Sequence, residues 1–145
     1  MNRTEQKERI GGIIQLAKDT IASLERKKSE LELVFKAIDA LNESAYALLD
    51  GGDVIDYDEL RTTVVNQFFE EELESLYDMS LDFQEELLTH ISELSEKRAE
   101  QLEDKYIELN QVVESFNQSM HEYEDIDNLI EHIEESIDLL QEMKK

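Results

Sequence analysis

From Ile10 to Leu49 apolar residues recur in alternating steps of four and three, in a chain that has no proline. The series is Ile10, Ile14, Ala17, Ile21, Leu24, Lys28, Leu31, Phe35, Ile38, Asn42, Ala45 and Leu49, and ten of its twelve positions are apolar. A heptad sustained this long specifies a helix that buries one stripe against other helices. Lys28 and Asn42 are the polar exceptions, of the kind that fix register at some cost in stability. From Leu31 the stripe widens, because Val34, Leu41 and Leu48 flank it seven residues apart. A wider apolar face needs more than one neighbour or a larger one. The half of this helix nearest residue 50 is therefore expected to be its more deeply buried half. Gly11 and Gly12 interrupt the start of the series and suggest a weak first turn or a close backbone approach.

The stretch Asp50-Gly51-Gly52-Asp53-Val54-Ile55-Asp56 is the clear break. Gly51 suits the left-handed residue that ends a helix. Asp56 with Glu59 has capping-box spacing, and Ile55 with Leu60 has hydrophobic-staple spacing. A second helical segment is expected from about residue 57 to about residue 143. Its main stripe is Val65, Phe69, Leu73, Leu76, Phe83, Leu87, Ile91 and Leu94, broadened by Leu60, Val64, Phe68, Tyr77, Leu81 and Leu88. Pairing residues ~30–49 with ~57–80 gives an antiparallel hairpin.

Beyond residue 95 the two halves no longer match in length. A single helix from 57 to 143 would be roughly 130 Å long and would overhang its partner by half. Residues 95–101 hold only Ala99 as an apolar group, and the phase slips at 124–128, around Asp125, Asp127 and Asn128. Both are candidate breaks. The expected fold is all-α, a single helical domain over 1–145. It is an elongated antiparallel coiled-coil hairpin whose C-terminal half either folds back as a three-helix bundle or pairs with another chain. The far seam, Leu102, Tyr106, Leu109, Val113, Phe116, Met120 and Tyr123, is the face one hairpin cannot cover. Tyr106, Leu109, Val113, Phe116, Met120 and Tyr123 are thus expected to bind a partner helix.

Charge narrows the function. The net charge is −23. Residues 1–50 hold 8 Lys/Arg and 9 Asp/Glu, and subtracting these from chain totals of 14 and 37 leaves 6 and 28 for the remainder. Direct binding to nucleic acid or to an anionic membrane is disfavoured by repulsion, whereas a basic or helical protein partner fits. Carboxylates cluster at Glu70, Glu71 and Glu74, and at Glu122, Glu124 and Asp125. They define an acidic face that could imitate a phosphate backbone. With no cysteine, no di-iron Glu-x-x-His, no zinc-protease or EF-hand spacing and no phosphate-binding glycine loop, neither catalysis, cofactor nor metal is expected. The three histidines read as exposed helix residues. No signal-peptide core stands at the N-terminus and no apolar run is long enough to span a bilayer. A cytoplasmic location is expected, with export by a route that needs no signal peptide left open.

Phe35-Lys36-Ala37-Ile38-Asp39 has the form Phe-x-x-x-Asp. A helical hairpin carrying it resembles the small helical targeting partners of toxins exported by Gram-positive type VII secretion systems. The resemblance implies that Phe35 and Asp39 help bind a toxin's helical N-terminal region and present it for export. It covers five residues and the hairpin shape, and Gly51-Gly52 stands where related secreted proteins carry Trp-x-Gly. Phe35 also lies on the heptad seam, which gives it a core role with Asp39 exposed. The functional expectation is a non-enzymatic helical interaction module acting as adaptor, chaperone-like or targeting factor. The alternatives are an acidic nucleic-acid-mimicking inhibitor of a basic protein and a self-assembling coiled coil, including a homodimer.

Overall fold

The computed structural model describes residues 3–48, 57–118 and 123–144, apart from the side chains of 45–48, 57, 58, 123 and 124. Among these residues the protein is all-helical. The helices are α1 (Arg3–Leu48), α2 (Tyr57–Phe68), α3 (Glu70–Ile91), α4 (Glu96–Gln118) and α5 (Tyr123–Lys144). The 50–56 turn with its cap and staple lies outside the described residues. Gly11 and Gly12 do not break α1. A Cβ on Gly12 would meet nothing within 4 Å, and one on Gly11 would meet only the Lys144 tip at 3.5 Å.

α2 and α3 form one bent leg. Phe69 leaves the helical conformation, at φ −122° and ψ −8°. The ladder nevertheless runs on through it, with Phe69 N–H donating to Val65 O and Leu73 N–H to Phe69 O, both at 2.9 Å. The next break is complete. Glu93 N–H donates to His90 O at 3.0 Å and Leu94 N–H to Ile91 O at 3.2 Å, tightening the end of α3. Ala99 N–H then donates to Ser95 O at 2.8 Å, which makes Ser95 the start of α4. The chain reverses here without glycine or proline, at the near edge of the expected 95–101 break.

Cross-helix pairs fix the directions. Arg9 meets Glu93, Lys27 meets Glu72 and Arg61 meets Asp39, so α1 runs antiparallel to the α2–α3 leg. Lys28 meets Asp127 at 2.5 Å, and Gly11 lies by Lys144, so α5 is also antiparallel to α1. Gln84 Nε2 donates to Asn110 Oδ1 at 3.0 Å, and Tyr77 Oη to Glu114 Oε1 at 3.2 Å, which aligns α4 antiparallel to α3. α1, α3, α4 and α5 close a cycle in which each packs on the next. Among the described residues α1 does not pack on α4, nor α3 on α5.

The far half therefore folds back twice and supplies two helices. Leu102, Leu109, Val113 and Phe116 of α4 and Ile126, Leu129, Ile133 and Leu140 of α5 are fully buried with Leu24, Leu31, Leu73, Phe83 and Leu87. This alters the expected burial of α1. Its 46 residues span about 69 Å, whereas the 22-residue α3 and α5 span about 33 Å each. α3 and α5 both start at the level of Lys27 and Lys28, so the four-helix section covers only the first part of α1. Ile10, Ile13, Ile14, Ala17, Thr20, Leu24, Lys27 and Leu31 are buried, and after Leu31 only Ile38 is buried among the described residues. The half nearest residue 50 is the less buried half, because α3 and α5 pack along the other one.

Candidate functional site

Beyond Leu31, α1 is accompanied only by α2 and the first turns of α3, among the described residues. One stripe of this arm faces α2, with Leu31 and Ile38 buried, Phe35 half-buried, and Val65 of α2 buried against them. Arg61 of α2 ties the arm together. Its guanidinium carbon lies 5.6 Å from the centre of the Phe35 ring, and it donates to Asp39 Oδ1. Both residues of the Phe-x-x-x-Asp pattern thus engage the same arginine within the chain, with Asp39 still exposed.

A second stripe points elsewhere. Leu33, Ala37, Ala40 and Leu41 follow i, i+4, i+7, i+8 spacing, and all four are exposed. Val34 beside them is half-buried. Leu33 is 69% exposed and Leu41 54%, and Phe68, at the level of Leu33 on the other leg, is 70% exposed. Leu81, Leu88 and Ile107 are also exposed, but singly along the bundle, which is ordinary for a soluble surface. The wide stripe from Leu31 onward was expected to need a second neighbour; among the described residues it has none.

The base of the arm is acidic. Glu70, Glu71 and Glu74 are exposed in the first turns of α3, and Glu72 accepts from Lys27. Across α1, Asp127 of α5 meets Lys28, and the half-buried Asp125 is also engaged. Glu70, Glu71 and Glu74 thus lie at one level with Asp125 and Asp127, because α3 and α5 begin there. Each places negative charge on a helix N-terminus, where the macrodipole favours it. Lys27 is mostly buried, under the Phe69 ring at 5.2 Å to its centre. Burial alone would lower its pKa, but the hydrogen bonds it donates to Glu30 and Glu72, with their charges, outweigh this and raise it.

The other expected partner-binding residues lie elsewhere. Leu109, Val113 and Phe116 are fully buried between α4 and its neighbours, and Tyr106 is half-buried against the same core. The fold-back covers this seam within one chain. Met120 and Glu122 lie outside the described residues, as do the side chains of Tyr123 and Glu124.

Two polar clusters remain. Glu108, His132 and Glu135 bring ligand atoms within 4.8 Å of one another. The Lys105 ammonium already sits there, 2.7 Å from Glu108 Oε2 and 2.6 Å from Glu135 Oε2. A metal ion would have to displace a fixed positive charge, so this group is an ion-pair network. His90, expected to be exposed, is 1% exposed, one turn after Leu87 on the core stripe. Neither ring nitrogen has a hydrogen-bond partner among the described residues. Burial lowers its pKa, the Glu93 charge opposes this, and the weaker Arg9 charge adds to the lowering. Glu86, four residues before, is exposed and on a different face. No helix among the described residues is long and apolar enough to cross a membrane.

Comparison of the chain with protein-family models, with curated proteins and with solved structures gave no match.

Proposed function

We propose that this protein is a non-enzymatic interaction module that docks a basic amphipathic helix of a partner protein on the arm formed by α1 and α2. The observation that carries the reading is the second apolar stripe, Leu33 to Leu41, left open where the four-helix section ends. Full burial of a Leu or Phe side chain contributes roughly 1.5–3 kcal/mol, so Leu33, Leu41 and Phe68 together could anchor a helix. The collar of Glu70, Glu71, Glu74 and Asp125 around the arm's base selects the partner's charge. A second copy of the chain is disfavoured as occupant because each copy carries −23 and would bring its own collar. The adaptor, chaperone-like and targeting roles all remain forms of this docking.

A designed helix with a leucine stripe and lysine flanks serves as the probe, and its glutamate-flanked counterpart as the control. The lysine form should shift backbone NMR resonances over residues 31–44 and 59–74, and the control should bind at least tenfold more weakly. Leu33→Glu with Leu41→Glu should abolish binding while the far-UV spectrum stays helical. Glu70→Gln with Glu71→Gln and Glu74→Gln should weaken binding a few-fold and flatten its salt dependence. Shifts spread over the acidic surfaces of α4 and α5 instead, unaffected by the leucine changes, would favour an acidic nucleic-acid mimic and sink the docking reading.

A further inference from the structure

We infer that the end of the bundle opposite the arm is a binding site for a small phosphate-bearing anion. The site is a cavity of about 270 Å³ between α1, the end of α3, the start of α4 and the end of α5. Arg3, Gln6, Lys7, His90, Arg98 and Lys144 line it. Its described lining contains no carboxylate, in a chain with 37 acidic and 14 basic residues. Five cations elsewhere, Arg9, Lys27, Lys28, Arg61 and Lys105, each meet a carboxylate. Lys7, Arg98 and Lys144 meet none among the described residues. Three cations that meet no carboxylate among the described residues thus line one hollow.

His90 is the second, independent sign. It lines the cavity almost wholly buried, yet neither ring nitrogen has a partner among the described residues. An unmade hydrogen bond at a buried polar group is costly, and an oxyanion held by Lys7, Arg98 and Lys144 would accept the ring N–H. Two helix starts, of α1 and α4, meet two helix ends, of α3 and α5, so their macrodipoles largely cancel. The side chains therefore set the sign of the local field. A small anion feels this field, because Glu93 nearby is paired with Arg9 and the acidic collar lies much farther away than a Debye length of about 8 Å. A long polyanion would run along the acidic surface and be repelled.

Binding is coupled to protonation of His90. The groups facing its ring region are Arg3, Lys7 and Arg9 from α1, Glu93 after α3, Arg98 from α4 and Lys144 from α5. Burial opposes protonation most, the Glu93 charge favours it and the weaker Arg9 charge opposes it, and a bound dianion adds to the favourable side. Anion affinity should rise as pH falls through the His90 titration.

Inorganic phosphate is the probe, titrated into the full chain at constant ionic strength with chloride as the balancing ion. A saturable shift of the His90 ring C–H resonance is expected, together with a rise in the His90 pKa and in Tm. Sulfate, a dianion throughout the range, should do the same. Arg98→Gln and Lys7→Gln should each weaken binding at least threefold, while His90→Leu should remove the pH dependence of sulfate binding. Phosphate and sulfate also stabilise proteins non-specifically by exclusion. A linear, unsaturable Tm rise that is unchanged in Arg98→Gln, with a stationary His90 resonance, would overturn the inference. So would binding to vesicles containing phosphatidic acid without any response to inorganic phosphate. This site and the arm lie at opposite ends of α1, so failure here leaves the docking reading intact.

Discussion

His90 and Gly12 show how single residues depart from the helical average. A histidine whose folded pKa lies below its unfolded value binds fewer protons folded than unfolded once pH falls below about 6.5. Stability should therefore be flat above pH ~7 and decline as pH falls through the unfolded value, until the folded pKa is reached. In phosphate-free buffer, His90→Leu should remove this decline between pH 7 and 5. It should also raise stability at pH 7 by about 1 kcal/mol, since it removes two unpartnered polar groups. Chemical denaturation across that pH range checks both. Gly12 is exposed and helical, with open space where a Cβ would stand. Gly12→Ala should stabilise by about 1 kcal/mol, read as a higher denaturation midpoint at unchanged m-value.

Among the elements, the contrast lies between α4 and the second half of α1. Leu109 and Leu41 are both leucines on amphipathic helices, but the first is fully buried and the second is 54% exposed. Leu109→Ala should cost about 2–5 kcal/mol of unfolding free energy, and Leu41→Ala less than about 0.5 kcal/mol. The stripes themselves were legible in the sequence. Val65, Leu73, Leu76, Phe83, Leu87 and Ile91 on one leg are buried as their spacing requires, and so are Ile126, Ile130, Ile133, Ile137 and Leu140. What the spacing could not convey was which stripe meets which. The reversal at 92–95, Ser-Glu-Leu-Ser, carries no glycine or proline, with Ser92 Oγ donating to Thr89 O at 2.6 Å and Ser95 opening α4. Without that turn, the far seam has no neighbour within the hairpin. With it, α4 packs between α3 and α5, those two cover the first half of α1, and the surplus apolar stripe moves to the second half. His90 was legible too, since it stands three residues after Leu87 on the core stripe, but its polarity hid it.

For the whole molecule, the ends of α1 have separate chemistry. At one end Lys7, Arg98, Lys144 and His90 gather around a cavity. At the level of Lys27 and Lys28, where α3 and α5 begin, the carboxylates form a collar. Beyond the collar, Leu33, Leu41 and Phe68 are open to water. This division arises from one mismatch of lengths, a 46-residue helix against partners half as long. Because the chain has no cysteine, single thiols can report exposure without interference. The most direct test is the labelling rate of Leu33→Cys and Leu41→Cys against Leu109→Cys and Phe116→Cys under native conditions. The first pair should react within a few-fold of a small free thiol and be protected by the lysine-flanked helix. The second pair should react at least a hundredfold more slowly until denaturant is added. Fast labelling at 109 and 116 with protection at 33 and 41 in the chain alone would contradict the assignment of the open face to the arm.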